Sequence, residues 1–551
     1  MIRKTAAVAL TALLTVAACG ANSSDRKEAT EGTQQGGKLS ILSAATDINF
    51  DPAKSQNLAI TTLGLVLRRL TTWDVQPGRP AQVVPDLATD TGKTTDGGKT
   101  WTYTLKDGLA YADGSPITTK DIKYGVERSF APELSGGLGY HKGLLIGGDK
   151  YKGPYTGGEL ASIETPDDKT IVFKLDAAYG DWPWIASMPA FTPVPKAQDD
   201  PKTYTQKPVA SGPYQVSEYK QGSSVTLTRN PKWDAKTDTV RTAGPDEVVF
   251  QLGQDTTVAA QRLIADAGDD KNAFGAGFVP PAQLAQIQSN PSAKQRLVTS
   301  DAGALAYLAL NTTRGPLKDV KVRQAIEYAV DKKAFQVASG GATGGDIATT
   351  LITPGIAGRQ AYDLYPAEAS GDVTKAKQLL TEAGQTNLAL TLLSPNDSDN
   401  LAKAQAVQQG LQRAGIKVTI KPADETTVTD TITGDKGDFD LTISSWQPDF
   451  PSANGNIQPL FQSSEIGGGG YNLSRYSQPE ADKLIESALA ETDQAKAQAL
   501  WARADKRILQ DAPVVPLIYT KNSFLHGSNV RNFFVAAFPA YPNYLKVSLN
   551  K

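Results

Sequence analysis

The chain is poor in the residues on which disulfides, metal sites and most hydrolytic centres depend. Its 551 residues include one cysteine, two histidines and two methionines. A single cysteine excludes an internal disulfide, so the fold must be stabilised by burial, which a chain of this size can supply. His141 and His526 are a poor supply for a metal centre or a Ser-His relay. Since no G-x-S-x-G or H-E-x-x-H pattern is present, we expect no metal, no cofactor and no enzyme activity.

The chain also lacks an excess of charge of either sign and, beyond its first residues, any long apolar run. It has 56 basic and 58 acidic side chains, a net charge of −2. A nucleic-acid partner would require a basic surplus or stripe, so we expect none. The apolar segment from Thr5 to Ala18 is shorter than the ~20 residues that a transmembrane helix needs.

The N-terminus has the parts of a secretory signal, with two basic residues, an apolar segment and small residues before Cys19. Residues 16–19, Val-Ala-Ala-Cys, resemble a bacterial lipobox, in which the cysteine is acylated and becomes the first mature residue. We therefore predict a signal peptide over residues 1–18 and an extracytoplasmic protein that contacts the cell membrane only through a lipid on Cys19. The alternative is an ordinary signal peptide with an incidental cysteine. Residues 19–37 are polar and predict a flexible tether.

Local patterns predict alternating strands and helices in a chain long enough for two or more lobes. Trp101, Tyr103 and Leu105 alternate with polar residues, which is strand periodicity. Thr118 stands three residues before Asp121, the spacing of a capping box at a helix start. The later half favours an α/β fold with a mainly parallel sheet. Its predicted helices lie near residues 319–330, 376–383, 407–414 and 484–509, and predicted strands lie at residues 39–42, 416–420 and 439–444.

Four separated segments share the order and spacing of one known pattern. They are residues 101–128 (WTYTLKDGLAYADGSPITTKDIKYGVER), 211–214 (SGPY) followed by the strand 225–231, 308–312 (LALNT) followed by 319–325, and 445–451 (SWQPDFP). Together they resemble the extracytoplasmic solute-binding proteins of family 5, the oligopeptide- and dipeptide-binding group of ABC importers. The resemblance runs from about Lys38 to the end of the chain.

The resemblance implies an α/β, two-lobed periplasmic-binding-protein type II fold with an inserted subdomain in lobe I. It further implies a monomer that captures peptides by closure of the two lobes and delivers them to the transmembrane subunits of a permease. Lobe I is expected to be discontinuous, with its three segments at residues 38–73, 206–303 and 514–551. The inserted subdomain is expected at residues 74–205, and lobe II at residues 304–513.

The same resemblance indicates ligand-binding residues. In peptide-binding members an aspartate three residues after a tryptophan holds the α-ammonium group of the peptide, and Trp446 and Asp449 occupy those positions. The local pattern agrees, because ligands of open α/β sheets gather beyond the carboxyl ends of the strands. We expect Trp446 to pave the cleft or to fill core, and the main chain of Ser444 and Ser445 to pair with an extended peptide. A turn-forming role is the alternative for Asp449.

One segment departs from the family pattern. Dipeptide-specific members place an arginine for the ligand carboxylate just before the helix that here starts near Leu401, whereas residues 394–397 are Ser-Pro-Asn-Asp. A strict dipeptide ligand is therefore disfavoured, and no carboxylate-binding residue is assigned. A longer peptide fits better, and a non-peptide solute such as an oligosaccharide, an opine or a metal chelate is the alternative.

Two further interpretations rest on single groups of residues. Trp182, Trp184 and Trp446 could stack on sugar rings if the ligand is an oligosaccharide. Asp438 and Asp440 could act as paired carboxylates in an exported hydrolase, although Gly437-Asp438 is also typical of a turn that leads into a strand.

Overall fold

The computed structural model of the protein describes residues 36–550. The predicted signal peptide, the lipid attachment at Cys19 and all but the end of the predicted tether lie outside these residues. Two large sheets organise the described chain, one in each lobe.

The first sheet has five strands and contains the strand predicted at 39–42, which is confirmed. Lys38–Leu42 pairs in parallel with both of its neighbours, and the remaining pairings are antiparallel. The order across the sheet is Ala273–Gly275, Lys38–Leu42, Glu247–Gln251, Ser224–Arg229 and Tyr214–Lys220.

The second sheet has six strands, and the prediction that it is mainly parallel was wrong. Three of its five pairings are antiparallel. The reason is that the chain enters along Ala304–Leu310 and leaves along the adjacent Val514–Thr520 in the opposite direction. The order across the sheet is Gly345–Ile347, Val514–Thr520, Ala304–Leu310, Leu441–Trp446, Ala389–Pro395 and Lys417–Ala423.

Both faces of the second sheet are covered. Alternate residues of a strand point to opposite faces, so Leu308 and Leu310 pack into a core with the helix Val320–Ala329. Leu305 and Tyr307 belong to the larger core on the other face. The helices within residues 36–550 are Thr62–Val66, Thr119–Arg128, Tyr140–Leu144, Trp182–Ile185, Thr256–Ala265, Pro281–Gln288, Pro291–Gln295, Val320–Ala329, Lys332–Ala338, Val373–Glu382, Ser398–Arg413, Glu425–Thr433, Asn454–Phe461, Pro479–Ala490 and Gln494–Gln510.

Aspartates begin most helices of the second lobe. The carboxylates of Asp319, Asp331, Asp372, Asp397 and Asp424 each accept a backbone N–H of the first turn. Such caps satisfy donors that have no partner inside the helix. The helices predicted from apolar spacing in this lobe are confirmed, including the pair between residues 484 and 509.

The inserted subdomain contains the motif that begins at Trp101. Thr100–Thr104 pairs antiparallel with Thr170–Lys174, which also pairs with Ile163–Glu164. The predicted capping box is present, because Thr118 and Asp121 bond reciprocally at the start of the next helix. Turns and caps account for this motif, as expected from its pattern. Two shorter ladders join Thr71–Asp74 to Gln82–Pro85 and Val530–Arg531 to Ser548–Leu549.

Two chain segments connect the lobes and are hydrogen-bonded to each other. Leu297–Thr299 pairs antiparallel with Ser523–Leu525. The Ser300 N–H donates to the Asn522 carbonyl at 2.8 Å, and the Gly303 N–H donates to the Thr520 carbonyl at 3.0 Å. We call residues 297–303 and 520–525 the linking ribbon.

The position of the linking ribbon indicates that lobe II ends later than the expected boundary at residue 513. Val514–Thr520 is a strand of the second sheet, so we propose that lobe II continues to Thr520. Within residues 36–550 no helix has both the length and the apolar character needed to cross a bilayer.

Candidate functional site

Asp449 lies in the loop that follows the strand Leu441–Trp446, where the second lobe contacts the inserted subdomain. The Tyr140 hydroxyl donates to the Asp449 carboxylate at 2.6 Å. The Tyr140 ring also packs edge-on against Phe450, with ring centroids 5.6 Å apart. The structure therefore places the predicted ligand-binding carboxylate between the lobes rather than on an outer surface.

The electrostatic surroundings of Asp449 are unusual for a half-buried carboxylate. Burial raises the pKa of Asp449, and the hydrogen bond from Tyr140 offsets part of that shift. Among residues 36–550, no lysine, arginine or histidine nitrogen lies within 4.0 Å of the carboxylate. Burial and the nearby Asp449 charge likewise raise the pKa of the Tyr140 hydroxyl, which keeps it a hydrogen-bond donor. A cation that approaches from outside the described chain would favour the ionised form of Asp449.

Hydrogen bonds join the inserted subdomain to the second lobe around the loop that carries Asp449. Ser452 donates to the Asp181 carboxylate at 2.7 Å, and the Asn454 amide donates to the Tyr179 hydroxyl at 2.8 Å. The Gly180 N–H donates to the Leu489 carbonyl at 2.7 Å. A Cβ atom at Gly180 would lie 1.8 Å from the Glu491 carbonyl oxygen, so this close approach requires glycine.

Trp446 is the last residue of its strand, which corrects the predicted strand bounds of 439–444. The observed strand is Leu441–Trp446. The Trp446 indole N–H donates to the Gly455 carbonyl at 2.7 Å, and its ring packs against Tyr471 with centroids 5.0 Å apart. The ring is half-buried. The side chain is therefore fixed by its hydrogen bond while part of the ring surface stays accessible.

Ser444 and Ser445 lie on a strand that has one open edge. Along one side, Ser444 is opposite Tyr307 and Ser445 is opposite Ala306. On the other side of the strand, only Leu441 and Thr442 pair with the neighbouring strand Ala389–Pro395. Residues 443–446 therefore have no strand neighbour on that side among the described residues. Because alternate residues of a strand direct their N–H and C=O groups to each side, some of this main chain is available to a ligand.

A cavity of about 380 Å³ lies against this open edge. Its lining includes Ser444 and Ser445, together with Pro395 at the end of the neighbouring strand and Lys403 on the helix Ser398–Arg413. The cavity is at the carboxyl ends of parallel strands, where ligands of open α/β sheets bind. The structure thus brings the four predicted residues to one strand end and the loop that follows it.

Sequence reasoning missed the partner of Asp449 and the basic residue of the cavity. Tyr140 lies 309 residues before Asp449, in a short helix without a clear periodic pattern. Lys403 is one of many lysines on helices. Only the lack of an arginine at residues 394–397 indicated that a cation elsewhere was needed.

The other candidate residues are held in contacts within the fold. Arg314 lies 3.0 Å from Asp438 and 3.6 Å from Asp440, and the Thr391 N–H donates to Asp440 at 2.8 Å. Arg314 thus pairs with both of the carboxylates suggested for a hydrolase. Trp182 is fully buried against Phe173, so it does not form a stacking surface with Trp446.

Comparison with known proteins identifies the family. The model of the bacterial extracellular solute-binding proteins, family 5 (middle region), matches residues 82–468. The chain belongs to this family. Similar proteins include the probable D,D-dipeptide-binding periplasmic protein DdpA of Escherichia coli (strain K12), 27% identical over 456 residues that cover 81% of each chain. The glutathione-binding protein GsiB of Salmonella typhi is 26% identical over 451 residues, covering 80% of this chain and 81% of the relative.

Solved structures agree with the family assignment. The clavulanic acid biosynthesis oligopeptide binding protein 2 is 32% identical, has a TM-score of 0.86 and aligns over 94% of this chain and 96% of its own. The unliganded open form of the periplasmic murein tripeptide binding protein MppA has the same fold, with a TM-score of 0.78 at 22% identity, covering 94% and 98% of the two chains. This family 5 protein therefore has the two-lobed type II binding-protein fold, and its relatives are named as binding proteins rather than as enzymes.

Proposed function

We propose that this family 5 protein binds short peptides with a free N-terminus between its two lobes and delivers them to the permease of an ABC importer. The peptide's α-ammonium group is held by Asp449, and its main chain pairs with the open edge of residues 443–446. A lipid on Cys19 anchors the protein at the outer side of the cell membrane.

The observation that supports the peptide ligand most directly is the half-buried Asp449 carboxylate with no cation near it in the described chain. Such a charge is costly unless it is paired. An α-ammonium group supplies the missing positive charge and three hydrogen-bond donors. A charge-assisted hydrogen bond of this kind contributes about 1.5–3 kcal/mol.

Capture by closure follows from the position of this site. Asp449 and Tyr140 belong to different lobes and are hydrogen-bonded to each other, so a ligand held at Asp449 lies against both lobes. A ligand that binds the closed arrangement more tightly shifts the population toward it. The closed, loaded form is then the one that the permease distinguishes from the empty form.

Calorimetry with paired peptides tests the role of Asp449. We expect N-terminal acetylation to weaken binding to the unaltered protein by about tenfold or more, since the ammonium charge is lost. Asp449→Asn should weaken binding of the free peptide by a similar factor and remove the difference between the two forms. Lowering the pH should also weaken binding, because protonation removes the charge of Asp449.

Asp269→Asn is the matched control, since Asp269 is an exposed acid of the first lobe. It should bind free and acetylated peptides as the unaltered protein does. Equal affinity of the unaltered protein for both forms would contradict the role of Asp449. Binding of an oligosaccharide, an opine or a metal chelate in place of any peptide would overturn the proposed ligand.

A further inference from the structure

We propose that a second cavity, beside Tyr140, binds the side chain of the peptide's first residue and selects a basic one, lysine or arginine. This inference rests on the proposed function, because it concerns the residue whose α-ammonium group Asp449 holds. It adds a preference for one class of peptide sequence to a site that otherwise recognises only a free N-terminus.

This cavity, which we call the Tyr140 cavity, lies between the inserted subdomain and the second lobe. Its volume is about 540 Å³. Both parts of the protein line it, with Tyr140, Leu144 and Tyr179 on one side and Glu465, Glu486 and Leu489 on the other. A side chain that enters the Tyr140 cavity therefore contacts the same two parts that meet at Asp449.

Tyr140 connects this cavity to the proposed position of the α-ammonium group. Its hydroxyl donates to the Asp449 carboxylate at 2.6 Å, and the same residue lines the Tyr140 cavity. Burial and Asp449 are the main causes of the raised pKa of the Tyr140 hydroxyl, and the charge of Glu465 adds to them. Glu465 and Asp449 thus act on one hydroxyl. In a peptide held at Asp449, the first side chain is the one nearest to the cavity.

The charged groups that line the Tyr140 cavity are acidic. No lysine, arginine or histidine is among the described residues of its lining. Within residues 36–550, neither Glu465 nor Glu486 has a basic nitrogen within 4.0 Å of its carboxylate. The Gln458 amide donates to Glu465 at 2.8 Å, which orients this carboxylate without neutralising it. Glu465 is also half-buried. A cleft lined by charge of one sign attracts a ligand group of the opposite sign.

The rest of the lining is mainly apolar. It is formed by Leu144, Leu489 and the alanines at positions 177, 178 and 490. Both leucines are half-buried, so part of their apolar surface stays accessible. Lysine and arginine place their methylene stems along apolar surface and keep the charged head in a polar position. A basic side chain therefore matches both the walls and the acids, whereas a neutral apolar side chain matches the walls alone.

The test compares tripeptides that differ only in their first residue. Lysine is followed by two alanines in one peptide, and norleucine replaces lysine in the other, because norleucine keeps the stem and lacks the side-chain charge. We expect calorimetry to show that the unaltered protein binds the lysine peptide about fivefold or more tightly. Moving lysine to the third position should remove this gain. In the double variant Glu465→Gln with Glu486→Gln the ratio should fall to about one, while N-terminal acetylation should still weaken binding.

Glu368→Gln is the control, since Glu368 is an exposed acid of the second lobe that does not line the Tyr140 cavity. It should leave the ratio unchanged, and thermal unfolding should show that all variants are folded. Equal binding of the lysine and norleucine peptides, with acetylation still weakening binding, would overturn the inference but not the proposed function. A lysine preference that persists in the double variant, or that is the same at the third position, would also overturn it. Failure of every peptide to bind would overturn both.

Discussion

Buried carboxylates in two regions of this molecule differ in what faces them. In the first lobe, Asp86 and Asp238 face two guanidinium groups, and we call Arg68, Asp86, Asp238 and Arg241 the ion cluster. Asp86 accepts from Arg68 at 2.7 Å and from Arg241 at 3.0 Å, and Asp238 accepts from Arg241 at 3.1 Å. Between the lobes, Asp449 faces only the Tyr140 hydroxyl within the described chain.

The two regions shift carboxyl pKa values in opposite directions. Burial alone would raise the pKa of Asp238, but Arg241 and Arg68 outweigh it and lower the pKa to about 2. Burial raises the pKa of Asp449, which has no such partners. A buried acid matched by the protein's own cations stabilises the fold. A buried acid left unmatched is suited to a cation that arrives with a ligand.

The largest expected effect is on folding. Asp86→Asn keeps the shape of the side chain but leaves two buried guanidinium groups with too little negative charge. We expect the free energy of unfolding to fall by about 3–5 kcal/mol, as when one partner of a buried ion pair is removed. Urea unfolding measures this loss. The same change at Asp449 should leave stability unchanged or raise it, because no buried cation loses a partner there.

Asp107→Asn is the control for the ion cluster. The Asp107 side chain is 88% exposed and pairs with Lys169 on the surface, so Asp107→Asn should leave the free energy of unfolding nearly unchanged. If Asp86→Asn were equally mild, the ion cluster would not stabilise the fold in the way its geometry implies.

The next effect concerns Glu327, an intermediate case between the two regions. Glu327 is buried, its carboxylate oxygens have no hydrogen-bond partner among the described residues, and Lys332 lies 3.8 Å away. Burial raises its pKa from 4.5 to about 7. The folded state therefore holds the proton more tightly than the unfolded chain, so this stabilising contribution is full below pH 4.5 and is lost as the pH rises toward 7.

Glu327→Gln should consequently leave stability unchanged at about pH 4 and raise the free energy of unfolding by up to about 3 kcal/mol at about pH 8. Urea unfolding at the two pH values is the measurement. Glu368→Gln, at an exposed position of the same lobe, should change neither value by a comparable amount. Destabilisation of Glu327→Gln at both pH values would show that the ion pair with Lys332 outweighs the cost of burial.

The smallest effect is expected at Tyr140. Tyr140→Phe removes the hydroxyl that donates to Asp449 but retains the ring against Phe450. The hydroxyl itself carries no charge, so its loss removes one hydrogen bond to the carboxylate but not the attraction between Asp449 and the peptide ammonium, and peptide affinity should fall by about two- to tenfold. The loss in calorimetry should be smaller than that of Asp449→Asn. A loss equal to that of Asp449→Asn would mean that the hydroxyl, and not the carboxylate, dominates ligand binding.

Features that depend on neighbouring residues could be predicted from the sequence. The capping box of Thr118 and Asp121, the helix that begins after Asp319 and the strand near residue 39 all rest on patterns within a few residues. Each of these patterns can be recognised without knowing which other parts of the fold it contacts. The family motifs also pointed to Asp449 and Trp446, whose role in ligand binding stays a prediction.

Features that depend on long-range pairing could not be predicted in the same way. The alternation of helices and strands favoured parallel pairing, but it does not reveal that Ala304–Leu310 and Val514–Thr520 lie side by side. The contact between Tyr140 and Asp449 could not be predicted for the same reason, since no residue near Tyr140 in the sequence indicates it.

The linking ribbon has a mechanical consequence. Its two segments are bonded to each other from Leu297 and Leu525 to Gly303 and Thr520, so neither can bend without the other. We therefore expect the two segments to move together, and not as two independent hinges. Any rotation of one lobe against the other must therefore twist both segments of this ladder together.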